Sequence, residues 1–109
     1  DVVVSDQRLG VLGWIATAAS SPFNKPAPDP VSILPTNVTY QGTVADVTGT
    51  ALVTRTPLPV IIALPTPVQT ATLVLGANTA TWTGNLAVTL PPVGVVAGLY
   101  TGTVTHSVA

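Results

Sequence analysis

The sequence predicts an all-β fold, a sandwich of about seven or eight short, mainly antiparallel strands, and three observations carry that expectation. Several segments alternate apolar and polar residues with a period of two, as a strand with one buried face does. Helix formers are scarce: Glu is absent and Lys occurs once, while Thr and Val abound, a balance that favours strands. Eleven prolines and nine glycines cut the chain into short pieces, the punctuation of turns. The 109 residues suit one domain, residues 1–109, long enough to bury a single core without covalent staples.

Taken in order, "VVVSDQ" (2–7) and "GWIATAA" (13–19) are the first two strand candidates. "SSPFNKPAPDP" (20–30) is proline-rich and reads as a surface loop. "SILPTNVTY" (32–40) and "GTALVTR" (49–55) follow as strands. "VIIAL" (60–64) is a short apolar run bracketed by Pro57, Pro59, Pro65 and Pro67. Proline removes a ladder donor, so this piece is expected at a sheet edge or in a buried irregular segment. In "QTATLVLG" (69–76), Ala71, Leu73 and Leu75 share a face, and "GANTAT" (76–81) reads as a hairpin loop. In "TWTGNLAVTL" (81–90), Trp82, Gly84, Leu86, Val88 and Leu90 fall on one face of a single strand. "PPVGVVAG" (91–98) is placed as a crossing between sheets. The clearest strand is the last, with Tyr100, Gly102, Val104, His106 and Val108 on the buried face and Leu99, Thr101, Thr103, Thr105 and Ser107 on the other.

Composition excludes several kinds of chemistry. Hydrophobic residues make up 47% of the chain and charged residues 6%, against about 25% charged in an average soluble domain. With a net charge of −1, the surface has little charge to keep copies apart. Arg8, Lys25 and Arg55 are dispersed, so the clustered basic patch of a nucleic-acid binder is missing. No apolar run approaches the ~20 residues of a membrane span. Cys is absent, which rules out disulfides, thiolate catalysis and cysteine metal sites. Met is absent as well, even at position 1, so the chain is expected to start after a cleavage or to be a fragment.

The single histidine, His106, decides whether a catalyst is expected. A hydrolytic triad needs a nucleophile, a base and an orienting carboxylate, and the Gly-x-Ser-x-Gly elbow is missing. His106 shares its face with Val104 and Val108, so the expectation is packing, with ring nitrogens bonded locally. Asp1, Asp6, Asp29 and Asp46 are the only acids and are scattered, which matches neither a metal cluster nor a paired-carboxylate glycosidase. No catalytic residue, metal or cofactor is expected. Trp82 and Tyr100 share faces with Leu and Val and read as core. Trp14 and Phe23 are the candidates for contact with a partner, Phe23 because it stands in the proline-rich loop. "NVT" (37–39) fits the N-glycosylation triplet.

Several pieces in sequence carry a resemblance: "VVVSDQR", "GWIATAASSPF", "ILPTNVTY", "TWTGNLAVTLPP" and "VAGLYTGTVTHSVA". This order resembles the WxL-type cell-surface domains of Gram-positive bacteria, in particular their small secreted actinobacterial relatives. The resemblance implies a secreted β-sandwich at the cell surface, a non-enzymatic protein held non-covalently by the cell wall or envelope. The two Trp-x-Leu motifs map to Trp14-Ile15-Ala16 and His106-Ser107-Val108, where Ala replaces Leu and His replaces Trp. In that mapping His106 stands where a large packing side chain is expected. Such relatives carry strands before "VVVSDQR", so the domain is expected to lack N-terminal strands and to expose an edge that a neighbouring copy could fill. The alternative function is therefore a structural subunit of an extracellular assembly, either a donor-strand filament or a virion surface or decoration protein, with copies of itself as partner.

Overall fold

The computed structural model describes residues 1–90 and 97–109. Among these, the strands are β1 (Val2–Asp6), β2 (Trp14–Ser20), β3 (Phe23–Lys25), β4 (Val31–Ile33), β5 (Val38–Gly42), β6 (Asp46–Arg55), β7 (Val60–Ile61), β8 (Thr66–Trp82), β9 (Gly84–Val88) and β10 (Val104–Val108). A single 3-10 turn, Pro35–Asn37, is the only helical element among the described residues. Every strand pair is antiparallel, so the fold is all-β.

Two sheets face each other. In the five-stranded sheet, β8 is the central strand. β6 pairs with it along residues 69–81, and the opposite edge is shared by β1, on residues 78–82, and β2, on residues 66–71. β10 lies outside β2. The three-stranded sheet has the order β7-β5-β9. Val4, Trp14, Ala16, Ala18, Ala80 and Trp82 from the first sheet meet Val38 and Tyr40 from the second in one buried cluster. β3 and β4 form a small separate ribbon, tied to the chain entering β10 through the Asn24–Thr101 bridge.

The curl of β8 makes this arrangement possible. Trp14 pairs opposite Ala71, eleven positions before Trp82. On a straight strand those positions lie roughly 36 Å apart. Yet the two indoles stack with centroids 6.5 Å apart and planes 16° from parallel, so β8 bends back on itself. Leu73 (φ 52°) and Gly76 (φ 76°) supply the bend, in the left-handed region that a non-glycine residue seldom enters. Opposite them β6 adjusts with register shifts at Gly49/Thr50 and Thr50/Leu52.

This bend corrects two sequence expectations. Residues 76–81 are not a hairpin loop; they continue β8. The positive φ at Leu73 also breaks the period-two face. Ala71 and Val74 are buried, while Leu73 and Leu75 are 78% and 66% exposed. A third correction concerns 81–90, which is not one strand. β8 ends at Trp82, and β9 begins at Gly84 in the other sheet. Thr83 is the corner: its carbonyl accepts from the Thr43 N–H (2.9 Å) and its own N–H donates to Thr43 Oγ1 (3.0 Å). Gly84 fits there because the Tyr40 ring occupies the space a Cβ would need.

The strand total exceeds the expected seven or eight for two reasons. The proline-rich 20–30 segment contains β3 rather than being all loop, and Pro35 divides 32–40 into β4, the 3-10 turn and β5. The "VIIAL" run behaves as its prolines demand. β7 is an edge strand, and the buried Ile62 beyond it donates to the Val38 carbonyl (3.1 Å) and accepts from the Ser20 N–H (2.7 Å), joining the two sheets. Of the expected sheet crossing at 91–98, residues 91–96 lie outside the described residues.

Candidate functional site

Tyr40 is the centre of the first polar cluster. β5 directs it inward, and its ring leans over Gly84 on β9. β10 places His106 opposite Ala18, whose small, fully buried side chain leaves room for the imidazole. His106 Nε2 lies 2.8 Å from Tyr40 Oη, with the rings edge to face at 5.4 Å. Trp82 Nε1–H donates to the same hydroxyl at 3.0 Å. The phenol accepts from the indole and can still give its own proton to His106, in which arrangement Nε2 accepts and Nδ1 carries the ring proton. Burial, and to a smaller extent the N-terminal ammonium, pushes the His106 pKa below its usual value. Burial pushes the Tyr40 phenol up, partly offset by the Trp82 bond. The imidazole is thus held neutral, with its basic nitrogen bonded to a phenol. His106 Nε2 is thereby spent on a contact inside the fold, to a residue of the other sheet.

The second cluster lies where β1 leaves the sheet. The Asp6 carboxylate accepts from Arg8 Nε (2.8 Å), Arg8 Nη2 (3.1 Å) and the Arg8 backbone N–H (3.1 Å). Arg8 Nη2 also donates to the carbonyls of Leu12 and Gly13, which clamps the 7–13 loop. Buried Asn78 donates to Asp6 Oδ2 (3.3 Å) and accepts from Trp14 Nε1–H (3.1 Å). Bonding to Arg8 lowers the Asp6 pKa to about 2, with burial opposing it. A groove of about 320 Å³ runs past Val4, Asp6, Arg8, Trp14 and Val108. Asp6 and Arg8 bond to each other, and Arg8 also to backbone carbonyls, so the ion pair fastens a loop.

The sequence candidates therefore separate. Trp82 is core, at 2% exposure. Trp14, expected as a partner contact, is also core at 2%; stacking on Trp82 and the bond to Asn78 hold its indole inside. Phe23 sits on β3, half-buried against Gly102. Tyr100 is half-buried. The structure brings His106, Trp82 and Trp14 into one aromatic spine through Tyr40. Sequence reasoning missed Tyr40, Asn78 and the Asp6–Arg8 pair. The signal for the pair was the i, i+2 spacing of "DQR" at a strand end, which puts both side chains on one side. No group of three or more potential metal ligands occurs among the described residues, and no described helix is long and apolar enough to cross a membrane. No family model, no curated protein and no solved structure matches the chain.

Proposed function

We propose that this chain is a non-enzymatic structural module that works by associating with copies of itself, in an extracellular assembly or at a cell surface. One observation carries this reading. Among the described residues, eighteen large hydrophobic side chains are more than a third exposed, including Leu9 at 92%, Leu73 at 78% and Leu64 at 76%. That apolar surface belongs to a chain with only seven formally charged side chains, three basic and four acidic. These side chains offer apolar area that association would remove from water, and the low charge puts little repulsion between copies. The two polar clusters support the same reading, because each spends its hydrogen bonds inside the fold. The wall-bound alternative implied by the resemblance loses Trp14 as its contact, since that side chain lies in the core.

Light scattering after size exclusion, across a concentration series, tests the proposal. A discrete or polymeric mass well above 11.0 kDa is expected. A chain that stays at one subunit mass at the highest concentration overturns it, and pelleting with purified cell walls would then favour the alternative.

A further inference from the structure

We infer that the outer edge of β9 is the self-association site, and that it pairs antiparallel with β9 of a second copy; this rests on the self-assembly reading above. The argument begins with the ladder. Thr43 N–H bonds to the Thr83 carbonyl and Thr89 N–H to the Asn37 carbonyl. Odd-numbered positions of this segment therefore turn their backbone groups toward β5, and alternation turns those of Gly84, Leu86 and Val88 outward. Among the described residues no strand pairs with that outward edge. An extended strand is the occupant whose backbone matches such a row of donors and acceptors.

The side chains point to the same edge. Leu86 and Val88 pair opposite Tyr40 and Val38 and so share their core-directed face. Tyr40 and Val38 are buried, yet Leu86 and Val88 remain 45% and 37% exposed. Among the described residues no strand covers them at this edge, and a strand added there would do so.

Charge identifies the occupant as a second copy. A two-fold edge pairing brings the same edge of both copies together, so any charge on it meets its like. β1, β6 and β7 carry devices against pairing: β1 ends in Asp6, β6 carries Asp46, Arg55 and a bulge at Gly49, and β7 is two residues between Pro59 and Pro65. β10 is uncharged as well, but its His106 is already bonded to Tyr40, whereas Leu86 and Val88 remain exposed. β9, Gly84-Asn85-Leu86-Ala87-Val88, has no charge, no proline and no bulge, and β5 and β7 add no charged side chain. Pairing two copies would make one continuous six-stranded sheet from two three-stranded ones.

The absence of cysteine makes the test direct. Asn85→Cys and Ala87→Cys lie on the exposed outer face of β9. Each is oxidised alone and as an equal mixture, with Thr54→Cys on β6 as control, after thermal melts confirm the parent fold. In one of the three arrangements, a disulfide-linked dimer should form about tenfold or more faster than in the control, because pairing raises the local thiol concentration. The arrangement that reacts reports the register: Asn85→Cys or Ala87→Cys alone for a two-fold centred on that residue, the mixture for one centred on Leu86. Rates at the control level in all three overturn the edge assignment. If the unmodified chain is nevertheless oligomeric by light scattering, self-assembly stands and only its site moves. If it is monomeric, both fall.

Discussion

The Tyr40–Trp82–Trp14 spine and the β9 edge are a few residues apart in the fold and made from the same strand-forming composition, yet they end in opposite states. In the spine, each polar atom that enters the core meets a partner: indole to phenol, phenol to imidazole, second indole to Asn78. On β9, core-directed Leu86 and Val88 have the right chemistry for burial but stay 45% and 37% exposed. Apolar character alone does not bury a side chain; a facing layer has to be present. Specific polar contacts fix where that layer lies, because a buried donor without an acceptor costs more than an imperfect apolar contact.

Substitutions can break or sharpen this contrast. The largest effect belongs to Trp82→Ala, which removes the stack on Trp14 and the inter-sheet bond to Tyr40 and should cost about 3–5 kcal/mol by denaturant unfolding. Asn78→Ala strips the Trp14 indole of its acceptor and Asp6 of a donor, with an expected cost of about 2 kcal/mol. Tyr40→Phe keeps the ring but leaves the Trp82 N–H unpaired and should cost about 1–2 kcal/mol; retention of full stability would show that the hydroxyl bonds contribute nothing net. Val88→Thr, at the open edge of the dilute chain, should change stability by less than about half a kcal/mol. A larger loss would mean that the edge is already covered.

Acidification separates the two polar clusters. The folded state holds His106 neutral, so its contribution is complete above the ordinary histidine value of 6.5. As the pH falls below that value, the unfolded chain takes up the proton first and stability declines. Asp6 behaves in the same sense at lower pH. Its contribution is complete above 3.8 and is lost as the pH falls toward about 2. Unfolding free energy measured against pH should therefore fall in two stages. His106→Gln should flatten the upper stage, and Asp6→Asn the lower one.

Much of the fold was legible in the sequence. β1 and β2 match their candidate segments to within a residue, and the prolines marked β7 as an edge. The terminal alternation located β10, but only Val104–Val108 form it, and Val108, expected on the buried face, is 50% exposed. The alternation that made 69–76 and 81–90 look regular was misleading in both places. A left-handed Leu73 and a corner at Thr83 change which face is buried, and neither residue type announces a positive φ or a change of sheet. His106 could be read as packing from its neighbours, but its partner Tyr40 is 66 residues away, and no local pattern connects them. Trp14 looked available for contact because the resemblance maps a Trp-x-Leu motif onto it; only the curl of β8 brings Trp82 over it.

The sequence by itself determined an all-β chain with one core, little charge and no thiol chemistry, because composition and period-two alternation act locally along each strand. The tertiary structure alone decided which strands pair, which aromatic residues meet and which edge stays open. Those outcomes depend on a few backbone angles that redirect whole strands, and on contacts between residues far apart in the chain.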